Sequence, residues 1–196
     1  MNNDEKIISE YYDNLAQKHG NSYRACDYGS EDSQLKKFSA FLNFFNNDSI
    51  DILDVGCGVG DFYKFLIKNF ASVSYEGIDL SEKMVSLCKE KHENVLFTQR
   101  SILEYTDRKE YCIANGIFYL IQENPEEKMK EVVTHMFDIS TRGIAFNSLS
   151  SLSTKQEKNE FYADPVKTFE FCSKLTSKVV LKHDYLPHDF TIYMYK

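Results

Sequence analysis

The sequence of 196 residues has no tryptophan, three prolines and eight glycines, and it lacks any long apolar run. So little proline and glycine leaves no low-complexity linker, and no internal repeat is present, so one domain with a sizeable core is expected. No apolar stretch approaches the ~20 residues of a spanning helix, and residues 1–10 are too polar for a signal peptide. Neither membrane attachment nor export is expected. Basic charge is also scarce: 23 Lys and Arg against 30 Asp and Glu give a formal charge of −7. A surface for phosphate backbones needs clustered Lys and Arg, so nucleic acid is not expected as a partner. Cysteine is present without order. Cys26, Cys57, Cys88, Cys112 and Cys172 are odd in number and show neither C-x-x-C nor Cys/His metal spacing. They read as reduced thiols of a cytoplasmic protein with no metal site.

What is present is concentrated in residues 51–61, Asp-Ile-Leu-Asp-Val-Gly-Cys-Gly-Val-Gly-Asp. Ile50, Ile52, Leu53 and Val55 form a short apolar run rich in β-branched residues, which reads as a buried strand. Gly56, Gly58 and Gly60 follow at every second position, and Phe62, Phe65, Leu66 and Phe70 then recur at helical spacing. A strand thus passes through a glycine turn into a helix N-terminus, whose free N–H groups suit a nucleotide. A dinucleotide fingerprint, G-x-G-x-x-G, would place its third glycine where this chain has Asp61. The pattern is instead D-x-G-x-G-x-G starting at Asp54. Residues 73–78 read as a second strand ending on Asp79, nineteen residues after Gly60. A carboxylate there can accept hydrogen bonds from both ribose hydroxyls.

Around this centre the pattern alternates. Residues 5–18 form an amphipathic helix with Ile7, Ile8, Tyr11 and Leu15 on one face and Tyr12 on the neighbouring one. A second helix over about 33–45 turns Leu35, Phe38, Leu42 and Phe45 inward. Both precede the first strand, so residues 1–48 are expected to be a helical cap on a core of residues 49–196. Ser81 caps a helix whose apolar face is Met84, Leu87 and Cys88. Residues 94–98 and 111–117 are the third and fourth strands, and Asn124-Pro125 opens a helix. Gly143 breaks to a fifth strand at 144–148, and residues 148–162 read as a mobile loop. Asp164-Pro165 opens another helix, and residues 178–184 and 190–195 form a hairpin about Leu186-Pro187-His188. The expected fold is α/β, a doubly wound, mostly parallel sheet closed by an antiparallel C-terminal hairpin.

Together, the motif at residues 54–60, the acid at Asp79 and the hairpin ending resemble the class I S-adenosylmethionine-dependent methyltransferases. Those enzymes have a Rossmann-like sheet of seven strands. Phe146-Asn147-Ser148, Tyr162-Ala163-Asp164-Pro165 and His183-Asp184-Tyr185-Leu186-Pro187 look like segments of small stand-alone bacterial members. The resemblance implies S-adenosylmethionine as donor and S-adenosylhomocysteine as product, bound beyond the carboxyl ends of the strands. It places Asp54, Gly56, Cys57, Gly58 and Gly60 around the methionine and ribose, and Asp79 on the ribose hydroxyls. Leu80 and Met84 would flank the adenine, with Ser101 and Ile102 at its edge, although many relatives have Asp where Ser101 stands. Asn115 and Gly116 would line the methionine end. They depart from the Asn-Pro-Pro-Tyr of enzymes that methylate amino groups of nucleic acids. In relatives an aromatic of the N-terminal helix closes over the cofactor, which brings in Tyr11 and Tyr12. Arg24, in the polar connection, could pair the methionine carboxylate or an anionic acceptor. Core packing is an equal reading of Tyr11, and a solvated surface charge is one of Arg24.

Methyl transfer is attack of a lone pair on a sulfonium methyl, and holding the nucleophile in line supplies much of the rate. A hydroxyl acceptor also needs a base. His183 and His188, around the hairpin turn, are the candidates because imidazole titrates near neutrality. Tyr12 would stabilise the sulfonium through its ring face. Local hydrogen bonding is the competing reading of His183-Asp184-Tyr185. With no large inserted domain, a small-molecule acceptor is favoured, O-methylation ahead of N-methylation, in a monomer or homodimer. Two other functions would suit a similar sheet: a nicotinamide-dependent oxidoreductase and a non-catalytic cofactor-binding subunit. Asp61 and the hairpin ending count against the first.

Overall fold

The computed structural model describes residues 3–196. Helices α1 (Asn3–His19) and α2 (Glu31–Ala40) precede strand β1 (Ser49–Val55). The chain then alternates through α3 (Asp61–Leu66), β2 (Ser72–Asp79), α4 (Glu82–Lys91), β3 (Leu96–Gln99) and β4 (Lys109–Ala114). It continues as α5 (Pro125–Ile139), β5 (Ser140–Leu149), α6 (Pro165–Leu175), β6 (Val179–Leu186) and β7 (Asp189–Tyr195). All seven strands join one sheet in the order β3-β2-β1-β4-β5-β7-β6. The first five pair in parallel, and β7 runs antiparallel to both β5 and β6. The seven-stranded sheet with a closing hairpin expected from the sequence is the one that forms.

Both faces of the sheet are covered, which is why β1 buries Ile50, Ile52, Leu53 and Val55 without polar alternation. One core layer joins Val55, Ile144 and Phe146 to Met129, Val133 and Met136 of α5. The other joins Ile52, Ile113 and Tyr193 to Phe38, Phe41, Phe62 and Leu66. The helices start where side-chain oxygens take orphan N–H groups. Ser81 Oγ accepts from Met84 N at 3.1 Å, and Asp164 Oδ1 accepts from Val166 N at 2.9 Å. Strand order reverses between β1 and β4, and a crevice opens beyond their carboxyl ends. Helix α1 lies against this rim, with Ser9 Oγ donating to Leu80 O at 2.9 Å and Ser81 Oγ donating to Asp13 Oδ1 at 2.5 Å.

Several local expectations are corrected. On α1 the inward stripe is Asp4, Ile8, Ser9, Tyr12 and Ala16, so Tyr12 turns in, while Tyr11 and Ile7 are exposed. On α2 the stripe is Gln34, Lys37, Phe38 and Ala40, and Leu35 is half exposed. The rotations have one cause: the buried polar side chains on these faces have distant partners. Helix α2 also ends at Ala40, short of residue 45. Strand β4 ends at Ala114, and Asn115-Gly116 forms a turn with Gly116 at φ 75°. Gly143 does not break anything. It lies inside β5, where a Cβ would sit 2.3 Å from the carbonyl oxygen of Met194 on β7. The segment after β5 is tied at both ends: Ser150 N donates to His188 O at 3.0 Å, and Phe161 N donates to Tyr119 O at 2.8 Å.

Candidate active site

The glycine turn is held by the neighbouring strand. Gly56 N and Cys57 N both donate to Ile78 O, at 2.8 and 3.0 Å. Gly56 and Gly58 have φ of 75° and 54°, a region that L side chains rarely adopt. Space enforces the same choice. A Cβ on Gly56 would lie 2.4 Å from Ile117 Cγ2, and one on Gly58 would lie 2.5 Å from Cys26 Sγ. Gly58 N then donates to Asp79 Oδ2 at 2.9 Å, and Ser81 N to Asp79 Oδ1 at 2.9 Å. These bonds aim the carboxylate that ends β2. Burial pushes Asp79 up to about 6 despite the backbone N–H groups that pull it down. Asp54, buried at the end of β1, accepts from Tyr75 Oη. Burial pushes it up to about 7, against that hydrogen bond.

A cavity of about 520 Å³ extends from this turn along the rim, within the range for small-molecule sites. At its β4–β5 edge, buried Asn147 donates Nδ2–H to Asn115 Oδ1 at 2.7 Å and accepts from Gly116 N at 2.6 Å. Asn115 Nδ2 in turn donates to Tyr28 Oη at 2.8 Å. Above, Tyr12 Oη and Tyr119 Oη are 3.0 Å apart, and Tyr119 and Tyr11 both donate to Asp27 Oδ2, at 2.8 and 2.7 Å. Burial keeps the Tyr12 phenol protonated. At the far end, Lys37 Nζ meets Asp189 Oδ2 at 2.6 Å beside the hairpin turn. Burial and the Lys37 charge push the His188 imidazole below its usual value, so it is uncharged at neutral pH.

Of the residues singled out from sequence, the cavity gathers Asp54, Gly56, Cys57, Gly58, Asp79 and Leu80. Ser101, Ile102, Asn115, Gly116, Tyr12 and His188 line it too. Ser101 donates Oγ–H to Glu5 Oε1 at 2.5 Å, so an acid from α1 stands beside the position where many relatives carry one. Five candidates lie outside the lining. Gly60 is the N-cap of α3, in left-handed conformation. Met84 is fully buried against Ala16, Ala25 and Val59. Tyr11 is at the surface. Arg24 is exposed, and its Nε donates to Tyr23 Oη at 3.2 Å. His183 is on β6, with its ring 6.4 Å from Phe190 and its buried Nε2 without a partner among the described residues. Pattern reading missed Tyr28, Lys37, Tyr119 and Asp189, which also line the cavity. The only signal for the two tyrosines was an aromatic residue within an otherwise polar connection.

The site fits an adenosine-bearing methyl donor. Asp79 accepts from Gly58 N and Ser81 N on opposite oxygens, and its carboxylate lines the cavity with acceptor capacity left for a ribose diol. The glycine turn keeps the backbone thin where Ile117 and Cys26 close in. A family model described as a methyltransferase domain matches residues 52–143. A protein of Mycobacterium tuberculosis provisionally named methyltransferase Rv1506c is 32% identical over 157 residues, covering 76% of this chain and 95% of that relative. The malonyl-[acyl-carrier protein] O-methyltransferase of Priestia megaterium is 35% identical over 39% of this chain and only 29% of its own length. Among solved structures, the magnesium protoporphyrin IX methyltransferase of Synechocystis, with bound S-adenosylhomocysteine, superimposes with a TM-score of 0.73. It covers 98% of this chain and 99% of its own at 12% identity, a likeness of fold. The nicotinamide and non-catalytic alternatives are set aside by this company. With nearly the full length of one such relative aligned to it on this fold, the chain belongs to the class I S-adenosylmethionine-dependent methyltransferases.

Proposed function

We propose that the enzyme methylates a small-molecule acceptor, at oxygen rather than nitrogen, inside the cavity bounded by α1 and α2. Continuity carries this reading: Asp79 and His188 line one space of about 520 Å³, so donor and acceptor ends share a single cavity. The name of the malonyl-[acyl-carrier protein] O-methyltransferase supports methylation at oxygen, and that of the magnesium protoporphyrin IX methyltransferase supports a small-molecule acceptor. Residues 1–48 act as a cap on the core of residues 49–196 within one domain, residues 1 and 2 lying outside the described residues. Among the described residues no helix is long and apolar enough to cross a membrane, and five free thiols accord with a reducing compartment such as the cytoplasm. A monomer or homodimer would suffice.

S-adenosylmethionine supplies an electrophilic methyl on a positively charged sulfur. In this reading Asp79 accepts from the ribose hydroxyls, while Asp54 and the turn at Gly56, Cys57 and Gly58 flank the ribose and methionine. Leu80, Ser101 and Ile102 enclose the adenine, and Asn115 and Gly116 line the methionine end. Tyr12, kept neutral by burial, offers its ring face to the cationic sulfur. His188, uncharged and at the acceptor end, takes the proton if the acceptor is a hydroxyl. The walls hold the nucleophile in line and exclude water, which is where most of the rate arises.

Calorimetry with S-adenosylhomocysteine tests the donor half. Wild type binds, and Asp79→Ala binds at least about tenfold more weakly through loss of charge-assisted hydrogen bonds. No binding by folded wild type, or equal binding by the variant, removes the assignment of these residues. A metabolite screen with methyl-labelled donor tests the other half, and transfer to amines alone would reverse the oxygen preference.

A further inference from the structure

We propose that Tyr28 holds the acceptor and that the acceptor presents a carboxylate to it, one carboxylate oxygen being the atom methylated. This rests on the methyl-transfer reading above and adds the acceptor's chemical class. Tyr28 is the last member of a chain of hydrogen bonds rooted in the sheet. Asn147 on β5 fixes the Asn115 amide through Nδ2–H to Oδ1 at 2.7 Å, and its own Oδ1 is held by Gly116 N at 2.6 Å. Asn115 is therefore set with Nδ2 toward Tyr28, and it donates to the phenol oxygen at 2.8 Å. The Tyr28 oxygen has accepted a bond, and its own proton has no partner among the described residues. Burial holds that proton firmly in place. Tyr28 is half-buried and lines the cavity, so that proton is available to an acceptor bound there.

Two more donors face the same deficit. Lys37 Nζ lies 5.9 Å from the Tyr28 ring centroid and is bonded to Asp189 at 2.6 Å. Lys37 is nine-tenths buried and lines the cavity, and an ammonium has three donors. Ser148 lines it as well, its Oγ buried without a partner among the described residues. The acids at this end already accept from the protein. Asp189 takes Lys37 and Tyr185, Asp61 takes Lys91 at 2.6 Å and Gln34 at 3.3 Å, and Glu160 keeps its charge but takes the Tyr162 hydroxyl at 2.5 Å. A surplus of donors suits a group that only accepts, which an ionised carboxylate is and an amine is not.

The step balances without a proton. A carboxylate oxygen forms the O–CH₃ bond as the S–CH₃ bond breaks, and the bonding pair stays on sulfur. The opposite charges cancel, leaving a methyl ester and a neutral thioether. His188 then has no proton to take.

Binding to the S-adenosylhomocysteine complex, followed by nuclear magnetic resonance titration, tests the class with benzoate and glutarate against benzamide and glutaramide. The carboxylates bind at least about tenfold more tightly than the amides, and Tyr28→Phe weakens them about tenfold, as loss of a hydrogen bond to a charged group does. That variant leaves Asn115 Nδ2 without its acceptor, so its melting temperature falls somewhat, and the titration is run with S-adenosylhomocysteine saturating in both proteins. Ser148→Ala is a second variant with the same expected direction, and methyl-labelled donor gives a base-labile, volatile product from the carboxylates. Equal binding of the amides, an unmoved affinity in both variants, or no probe bound to protein that holds S-adenosylhomocysteine would overturn the proposal. Wild type that takes up no S-adenosylhomocysteine overturns the donor-site reading and this one with it.

Discussion

Lys37 on α2 and Asp189 at the start of β7 form an ion pair of 2.6 Å with side chains only 11% and 1% exposed. It fastens the N-terminal helices to the C-terminal hairpin, 152 positions apart in sequence, and both partners line the end of the cavity beside the hairpin turn. Removing one partner of such a pair strands a buried charge, whereas removing both does not. Lys37→Met is expected to lower stability by about 3–5 kcal/mol, and adding Asp189→Asn to recover part of that loss. Urea unfolding of wild type, single and double variants measures it. A single variant within error of wild type would show that the pair holds nothing.

The acid ending β1 makes stability depend on pH. Burial pushes Asp54 from the ordinary carboxylate value to about 7. Between about pH 4 and 7 the native state therefore binds more protons than the unfolded chain, so stability falls as pH rises and levels off above that window. The contribution is on the order of 4 kcal/mol across the window. Thermal melts from pH 4 to 8 should show the fall in wild type and a flatter profile in Asp54→Asn. Identical profiles would mean that Asp54 ionises as freely in the fold as out of it.

The sheet and its glycine turn were legible because their signals are local. Apolar runs mark strands buried on both faces, and Gly56 and Gly58 mark a bend that no other residue fits. Topology then brought Asp54, Asp79, Ser101 and Asn115 to one rim, as strand order alone requires. The faces of α1 and α2 were not legible. Asp4, Ser9 and Lys37 turn inward because Lys128, the Leu80 carbonyl and Asp189 meet them there. Periodicity ranks polar side chains as outward, and it has no view of partners more than seventy positions away. Gly143 misled for a related reason: the backbone that crowds it belongs to β7. Tyr28 and Tyr119 come from connections without any period to read.

Asp79 links cofactor affinity to pH in the opposite sense to Asp54. Burial pushes it up to about 6, and in the proposed site the ribose hydroxyls would donate to the ionised form. Below that value binding must first displace a proton, so S-adenosylhomocysteine affinity drops by about tenfold per pH unit. Above it the affinity is level. Calorimetry from pH 4.5 to 8 reads the bend, and Asp79→Asn should bind weakly with no bend near 6. A wild-type affinity independent of pH would place the ribose elsewhere.

Gly58 is where backbone conformation, packing and the cofactor site meet. Its φ of 54° is unfavourable for a residue with a Cβ, at roughly 1–2 kcal/mol. Its Cβ would also press within 2.5 Å of Cys26 Sγ, while its N–H must keep aiming the Asp79 carboxylate at 2.9 Å. Gly58→Ala is therefore expected to destabilise by about 2–3 kcal/mol, backbone and overpacking together, and to weaken S-adenosylhomocysteine binding. Adding Cys26→Ala removes the crowding and leaves the strain, so the double variant should regain part of the stability. Chemical unfolding and calorimetry on the pair separate the two contributions. A double variant no more stable than Gly58→Ala would mean that crowding by Cys26 plays no part.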